Sequence, residues 1–462
     1  MATDPVLGAL AGACPSARPA QPGDAVAGVM PRFAAAPASV AEASELLRAA
    51  AAHDLAVVPR GGGSKLGWGA PPRRCDLVVD TTALDQVIEH AAGDLVARVQ
   101  AGVSLARLGE VLAGAGQQLS LDPPPCPVPP SPAGGPEPSA WLGATVGGTL
   151  ATGAAGPRRL RYGTPRDLLI GITVVRADGA VASSGGKVVK NVAGYDLGKL
   201  YTGSFGTLGL IVEAVFRLHP RPASAAYITV DCAGPDEAYR AVAAGAGSEL
   251  ALSAIEIDRP ARDQPVGVAV LVEGDPDGTA ERAGLMSALL GAGARTRPSP
   301  PGWWGWPPAG RGGSGGIGAA GGGTGGTLVR IGFWAAGLPR VLRVIDGAAL
   351  AAGLDPAVGG SAAAGVIYAA LGPDADPAAV AAFVSGLRAA LARGDCDARP
   401  AAAPVPDSPP ALASAVVVHS PPGARDLMDP WGPVPSLPLM RAVKDQFDPG
   451  HRMAPGRFAG GI

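Results

Sequence analysis

The amino-acid sequence predicts an α+β fold, because segments of helical periodicity and short apolar strands follow one another along 462 residues. Hydrophobic residues make up 47% of the chain and aromatic residues 4%, which indicates a core built mostly of Ala, Val and Leu. Glycine-rich blocks follow predicted strands in the first half. Residues 225–400 instead alternate Ala-rich helical patterns with strands. We therefore expect two α+β units.

The first unit is expected to begin after residues 1–27, which we interpret as a mobile tail. Ser39 and Glu42 match a capping box, in which each side chain satisfies an amide at a helix start. Ser104 is expected to cap a second helix over Leu105–Ala115. Strands are predicted at Ala56–Val58, Leu77–Asp80, Leu95–Gln100, Leu168–Arg176 and Leu208–Leu218.

Two segments are too rich in Pro or Gly for regular structure. Residues 122–140 are expected to form a surface insertion, since proline interrupts helices and central strands. Residues 298–327 have low complexity and are expected to be disordered. The second unit is expected to contain strands at Ile228–Val230 and Val268–Val272, and the last helix is predicted at Leu437–Phe447.

Charge and cysteine content exclude several classes of protein. The net charge is −2 and shows no basic face, which argues against nucleic acid as the main partner. The five cysteines lie far apart without a CxxC pair, so we expect neither a disulfide framework nor a cysteine-rich metal site. We expect a cytoplasmic protein that reaches a membrane, if at all, through its partners.

The run Pro59–Gly67, "PRGGGSKLG", directly follows a predicted strand and carries Arg60 and Lys65. It fails the P-loop pattern because Leu66 follows the lysine, and it fails the dinucleotide fingerprint because "WGAPP" leaves no room for a helix. Two interpretations remain: a flexible turn, or a loop that binds phosphate through backbone amides, with the two cations neutralising the charge.

Two further glycine blocks favour the second interpretation. Gly143, Gly147 and Gly148 lie among small residues in "WLGATVGGTLATGAAG", and "TGSFGTLG" precedes the strand at Leu208–Leu218. Each block alone is more typical of turns. Three in order suggest that one extended ligand lies along a glycine-lined cleft.

The ordered blocks "VVPRGGGS", "LGATVGGTLATGAAGPRRLRYGTPRDLL" and "KNVAGYDLGKLYTGSFGTLG" resemble the vanillyl-alcohol-oxidase (PCMH-type) family of FAD-binding oxidoreductases. Within that family they are most similar to FAD-binding subunits of glycolate oxidase. The ending "FDPGHRMAPGRF" is similar to the C-terminal signature of FAD-linked oxidases, although Ala454 stands where that signature often has Asn.

The resemblance implies a domain organisation. Residues 28–222 would form a PCMH-type FAD-binding domain of two α+β subdomains, and residues 223–430 a smaller α+β cap domain. Residues 431–462 would supply a C-terminal helix and a tail that returns to the FAD domain.

The same resemblance implies the cofactor contacts. The pyrophosphate of FAD would lie on the glycine run, and the dinucleotide and flavin would lie on the later blocks. The residues concerned are Pro59, Arg60, Gly61, Gly62, Gly63, Ser64, Thr145, Gly147, Gly148, Tyr162, Gly163, Asp167, Gly206 and Ile211. Relatives with covalent flavin often have His at the position of Ser64, so we expect non-covalent FAD.

The catalytic residues are harder to predict. The five histidines show no metal-ligand spacing, and we expect no metal site. His419, after an apolar run, and Glu256, in "SAIEIDR", are the candidate catalytic residues, although structural roles are also consistent with the pattern. Lys187, Lys190 and Asn191 form a polar cluster that could contact FAD or a neighbouring chain.

Three functions follow from the resemblance. The first is an electron-transferring FAD subunit of a glycolate oxidase complex, partnered by a homologous flavin subunit and an iron–sulfur subunit, with a small 2-hydroxy acid as substrate. The second is a self-sufficient FAD-linked oxidase or dehydrogenase of another small alcohol or hydroxy acid. The third is a flavin-free scaffold, which the intact glycine blocks disfavour.

Overall fold

The computed structural model describes residues 4–124, 143–186, 195–308, 326–393 and 413–462. Most of the insertion expected at 122–140, and the predicted polar cluster of Lys187, Lys190 and Asn191, lie outside the described residues. The described residues form an α+β structure with three main sheets, which confirms the predicted fold class.

The first sheet has four strands, in the order β1-β2-β4-β3. They are β1 (Arg18–Pro19), β2 (Phe33–Ala35), β3 (Val57–Arg60) and β4 (Leu77–Asp80). The β2–β4 and β4–β3 pairs are parallel. Helix α1 (Pro5–Ala13) and helix α2 (Val40–Ala52) pack on the face that carries Leu77 and Val79. The hydroxyl of Ser39 accepts a hydrogen bond from the Glu42 amide and so caps α2.

The second sheet has five antiparallel strands, in the order β5-β6-β10-β8-β9. They are β5 (Val87–Ala91), β6 (Val96–Gln100), β8 (Leu169–Val175), β9 (Val181–Gly185) and β10 (Leu210–Arg217). A separate pair consists of β7 (Gln117–Gln118) and β11 (His219–Pro220). The helices of this part are α3 (Leu105–Ala113), α4 (Val146–Thr152), α5 (Arg159–Tyr162), α6 (Pro165–Leu168) and α7 (Gly198–Tyr201).

The third sheet has eight antiparallel strands, in the order β15-β12-β14-β13-β17-β18-β16-β19. They are β12 (Ser224–Cys232), β13 (Ala254–Arg259), β14 (Val266–Gly274), β15 (Arg295–Arg297), β16 (Thr327–Phe333), β17 (Ala357–Ser361), β18 (Val366–Leu371) and β19 (Ala413–His419). The accompanying helices are α8 (Pro235–Ala246), α9 (Pro276–Leu290), α10 (Leu338–Ala352), α11 (Pro377–Ala392) and α12 (Pro422–Arg425). Because strand side chains alternate, one face packs on these helices, and Trp68 packs against the other.

The chain then returns to the first two sheets. Helix α13 occupies Leu437–Phe447, the range that the sequence predicted. After it, Met453 lies parallel to Val57 at the open edge of β3, and the Ala454 amide donates to the Val57 carbonyl at 2.7 Å. The tail therefore covers an edge strand whose backbone groups would otherwise face solvent.

The expectation of a mobile tail at residues 1–27 is wrong for residues 4–27. Helix α1 forms there, and Leu10 and Cys14 are fully buried beside α2. Asp24 is buried too, and its carboxylate pairs with Arg18 and Arg60. Apolar and polar residues are not clearly separated along this segment. The sequence therefore contains no sign of the tertiary contact that buries individual apolar side chains.

The expected disorder at residues 298–327 is also wrong for residues 298–308. Trp304 packs edge-to-face on Tyr227, with ring centroids 5.1 Å apart, and Pro308 is buried. Burial of these large side chains outweighs the flexibility of the neighbouring glycines. Residues 309–325 lie outside the described part of the chain.

We predict that Leu10→Ala lowers the free energy of unfolding by about 2–5 kcal/mol, because it leaves a cavity between α1 and the first sheet. Urea denaturation followed by circular dichroism measures this loss. The control is Ala11→Ser on the exposed face of the same helix. Equal stabilities for the two variants would mean that the segment is not docked.

Candidate functional site

A cleft opens where the glycine blocks meet. Its lining consists of residues 59–66 at the end of β3 and just beyond it, residues 143–145 before α4, Gly148, Thr149, Ala151 and Thr152 of α4, Phe205 and Gly206, and Arg457 from the tail. The structure thus brings together nine of the predicted cofactor residues: Pro59, Arg60, Gly61, Gly62, Gly63, Ser64, Thr145, Gly148 and Gly206.

The glycine run presents unused backbone donors to this cleft. Among the described residues, no carbonyl or side chain accepts a hydrogen bond from the amides of Gly61, Gly62, Gly63 or Ser64. Gly63 has φ +77°, a left-handed conformation that is strained for other residues. Consecutive free amides in such a turn form a concave binding site for an anion.

Two glycines are required because neighbouring segments approach closely. A Cβ on Gly62 would overlap the backbone carbonyl of Gly143, and one on Gly61 would overlap the Thr145 hydroxyl. That hydroxyl accepts a hydrogen bond from the Gly148 amide at 3.2 Å and caps α4. The first two glycine blocks are therefore in direct contact.

The charge of Arg60 is compensated within the protein. Its Nη2 lies 2.8 Å from Asp80 and 3.1 Å from Asp24. Two carboxylates therefore already compensate the charge of this guanidinium and fix the end of β3, and the role of Arg60 in binding phosphate stays a prediction. Lys65 is buried, and its ammonium lies 5.6 Å from the Trp68 ring.

Arg457 and Thr149 place further polar groups in the cleft. The Arg457 side chain is almost completely buried, and its Nη2 donates to the carbonyls of Leu66 and Trp68, each at 2.8 Å. Its Nη1 and the Thr149 hydroxyl are buried without a hydrogen-bond partner among the described residues. Burial lowers the pKa of Arg457 to about 10, so it stays cationic at neutral pH.

The remaining predicted cofactor residues lie away from this lining. Gly147 packs on Ala101, where a Cβ would be only 2.8 Å from the alanine methyl carbon. Gly163 adopts φ +84° beside Asp167. The Asp167 carboxylate accepts from the Thr164 amide at 2.8 Å and so caps α6.

Ile211 and Tyr162 are also buried outside the cleft. Ile211 belongs to the core of the second sheet. The Tyr162 hydroxyl donates to the Glu273 carboxylate at 3.3 Å, and Arg158 pairs with the same carboxylate at 2.7 Å. Glu273 belongs to β14, so these contacts join the third sheet to the rest of the protein.

Glu256 faces the same junction from β13. It is buried, and its Oε1 has no hydrogen-bond partner among the described residues. Desolvation raises its pKa to about 8, opposed by the Ser361 hydroxyl and by Arg159, and aided by Asp122. Glu256 is outside the cleft lining, and its catalytic role stays a prediction.

His419 lies closer to the glycine run. Its Nδ1 is 3.0 Å from the Gly326 carbonyl, and its Cδ2 is 3.5 Å from the position of a Cβ on Gly67. Burial lowers its pKa, which favours the neutral imidazole at pH 7. It can therefore accept a proton, although it is not part of the cleft lining.

Comparison with known proteins finds similarity to FAD-binding proteins. The family described as "FAD binding domain" matches residues 31–128 and 133–185. The glycolate oxidase subunit GlcD of Bacillus subtilis is 35% identical over 193 residues, which cover 42% of this chain and 38% of that protein. A D-lactate dehydrogenase of Archaeoglobus fulgidus is 37% identical over 185 residues, or 40% of this chain and 38% of the relative.

Solved structures agree on the fold. The substrate-bound crystal structure of p-cresol methylhydroxylase superposes on this chain with a TM-score of 0.69 at 14% sequence identity. The match covers 98% of this chain and 96% of the p-cresol methylhydroxylase chain. The chain is therefore similar in sequence to FAD-binding domains over residues 31–128 and 133–185, and similar in fold to p-cresol methylhydroxylase. The predicted resemblance and the FAD cofactor are thereby confirmed, while the chain spans 38% of the length of each of the two sequence relatives above.

The cleft of this flavoprotein suits FAD. Free amides and a buried guanidinium provide donors for phosphate oxygens, and small side chains along α4 admit a flat ligand. In the part of the chain that the structure describes, no helix is long and apolar enough to cross a membrane, and no group of three or more His, Cys, Asp or Glu side chains could hold a metal ion.

Sequence reasoning missed Arg457 and Thr149 as cleft residues. Arg457 was noted only as part of the C-terminal signature, and Thr149 only as a small neighbour of the glycines. The available signal was Arg457 as the only charged residue of positions 454–462. Its burial depends on contacts with Leu66 and Trp68, which no local pattern reveals.

We predict that Gly62→Ala weakens FAD binding about tenfold or more, because the added methyl group displaces the loop from the Gly143 backbone. Quenching of flavin fluorescence on titration measures the affinity. Gly93→Ala, at an exposed position with open space, is the matched control. Wild-type affinity in Gly62→Ala would contradict a role for this close contact in forming the site.

We predict that stability falls between pH 7 and pH 9 partly because of Glu256. The Glu256 carboxyl has a pKa of about 8 in the folded protein and about 4.5 in the unfolded chain. Between these values the folded state keeps a proton that the unfolded state has lost. The stability that this proton contributes disappears as the pH rises through about 8. Because the folded carboxyl loses its proton within this window, Glu256→Gln should reduce the slope by about 0.7 kcal/mol per pH unit on average, or about 1.4 kcal/mol from pH 7 to pH 9.

Urea denaturation at each pH measures that slope. Desolvation raises the pKa of the partly buried Asp122 to about 6, so its titration falls mostly below the chosen window. Glu281→Gln, on the exposed face of α9, is the control. An unchanged slope in Glu256→Gln would show that this carboxyl does not titrate in the window.

Proposed function

We propose that this chain is the FAD-binding subunit of a glycolate oxidase complex that oxidises a small 2-hydroxy acid to the 2-oxo acid. FAD, when bound, supplies a flavin that accepts the hydride. The observation that carries the proposal is the cleft, which has four free amides and a buried guanidinium. The chain that forms this cleft is similar to FAD-linked relatives. The two sequence relatives described above are named for 2-hydroxy acids, glycolate and D-lactate.

In this proposal the residues of the chain bind and orient the cofactor. The amides of Gly61–Ser64 hold its phosphates, and the close contact of Gly62 with Gly143 keeps the two glycine blocks together. Ser64 offers no imidazole, so the flavin is held without a covalent bond. A homologous flavin subunit and an iron–sulfur subunit are the proposed partners, and any membrane association is through them.

A second function has one observation in its favour. His419 is buried, has a lowered pKa and lies against Gly67, just beyond the glycine run. A neutral imidazole there could take the proton of a substrate hydroxyl. The chain would then be a self-sufficient dehydrogenase of a small hydroxy acid.

The deciding experiment uses the purified full chain loaded with FAD. We expect acid precipitation to leave a colourless pellet and FAD in the supernatant, as non-covalent binding requires. Under anaerobic conditions, glycolate or D-lactate should leave the flavin of the lone chain oxidised. Bleaching should occur once the partner subunits are added, and it should be unchanged in His419→Ala.

Other outcomes would contradict this proposal. A yellow pellet would mean covalent flavin. Bleaching of the lone chain that disappears in His419→Ala would establish the self-sufficient dehydrogenase instead. A folded chain that takes up no FAD would support a scaffold role.

A further inference from the structure

Arg457 is a buried cation without a matching anion. Its side chain is 3% exposed, and among the described residues no carboxylate lies within ion-pair distance of it. Its Nη2 is bonded to two carbonyls, whereas Nη1 is buried and unpaired. A buried charge of this kind is costly unless another group compensates it.

The structure indicates where the compensating group must lie. Arg457 lines the FAD cleft, and so does Thr149, whose hydroxyl is likewise buried and unpaired. Gly61, Gly62, Gly63 and Ser64, whose amides have no acceptor among the described residues, line the same space. No Asp or Glu is among the described lining residues, so the cleft combines several donors with no acidic side chain to receive them.

An alternative role for Arg457 is purely structural. The bonds from Nη2 to Leu66 and Trp68 hold the chain just after the glycine run, and this alone could explain the residue. It leaves Nη1 unexplained, because the NH2 group of a neutral amide side chain could make the same two bonds and leave no further buried N–H group. A planar guanidinium can serve both tasks at once, shaping the loop with one nitrogen and binding a ligand oxygen with the other.

We propose that Arg457, assisted by the Thr149 hydroxyl, binds the diphosphate of FAD and supplies the positive charge that Arg60 cannot. This inference rests on FAD binding by the cleft. Arg60 is held by Asp24 and Asp80, so its charge is already compensated. The tail thus contributes a binding residue to the cofactor site as well as a strand to the first sheet.

The test compares two probes, FAD and adenosine diphosphate, by isothermal titration of the full chain freed of cofactor. Arg457→Gln should weaken both by about 10- to 100-fold, the factor expected for a lost charge-assisted hydrogen bond. Arg457→Lys should recover part of the loss, and Thr149→Val should weaken both probes by about three- to tenfold. Raising the salt concentration should weaken wild-type binding more than that of Arg457→Gln.

The control is Arg441→Gln. Arg441 also belongs to the C-terminal region and donates to a backbone carbonyl, that of Gly460, but it is exposed and outside the cleft. The Arg441→Gln variant should bind both probes with the affinity of the wild type. Thermal unfolding of each cofactor-free variant separates a loss of fold from a loss of binding. If Arg457→Gln fails to fold, the affinities of Arg457→Lys and Thr149→Val for the two probes test the proposal in its place.

Three results would overturn the proposal. Wild-type affinity for both probes in folded Arg457→Gln would leave Arg457 a structural residue. A loss for FAD with unchanged adenosine diphosphate binding would place the contact on the flavin. If the wild-type chain binds neither probe, the cleft is not a cofactor site and the proposed function fails with it, a result distinct from the other two.

Discussion

The buried ion pair between Lys444 and Asp448 fixes the parts of this protein that form the cofactor cleft. The Lys444 ammonium lies 2.7 Å from the Asp448 carboxylate and donates to the carbonyls of Thr207 and Met453, at 2.6 and 2.8 Å. Asp448 in turn accepts from the Met453 amide at 2.7 Å. Because all three ammonium protons have acceptors, the pair avoids the cost that an unsatisfied buried charge would bring.

This network connects the cleft to both ends of the described chain. Through Thr207 it holds the loop that carries Gly206, and through Met453 it holds the tail against β3. The tail then places Arg457 under Leu66 and Trp68. From the other side, Asp24 of the N-terminal segment fixes Arg60 at the end of β3. The glycine run is flexible by composition, and these contacts at its two ends give it one conformation.

Local patterns predicted much of the fold. The helix at Leu437–Phe447 and the strand at Leu77–Asp80 have the predicted bounds, because their apolar periodicity and flanking residues are local signals. The glycine run was predicted as a backbone-amide site because it fails both common phosphate motifs. Leu66 breaks the P-loop pattern, and Pro71 and Pro72 leave no room for the helix of the dinucleotide fingerprint. The structure agrees in placing free amides there.

Contacts distant in sequence escaped prediction. Arg457 and Leu66 are 391 residues apart, and Arg60 and Asp24 are 36 apart, so neither partnership leaves a periodic trace. The charge of Arg60 alone suggested that it could bind phosphate. The weak separation of polar and apolar residues in α1 suggested a mobile tail. The roles of Gly147 and Gly148 also could not be separated from the sequence, although one packs on Ala101 and the other lines the cleft.

The pairing of Met453 with Val57 makes the flavin-binding domain discontinuous along the chain. The eight-stranded sheet and its helices are, topologically, an insertion between β11 and α13. A recombinant fragment that ended with β11 would expose β3 as an unprotected sheet edge, open to pairing with other chains. It would also remove Arg457 from the cleft. The same topology allows the inserted sheet to change in size or sequence while the two ends of the flavin domain remain joined.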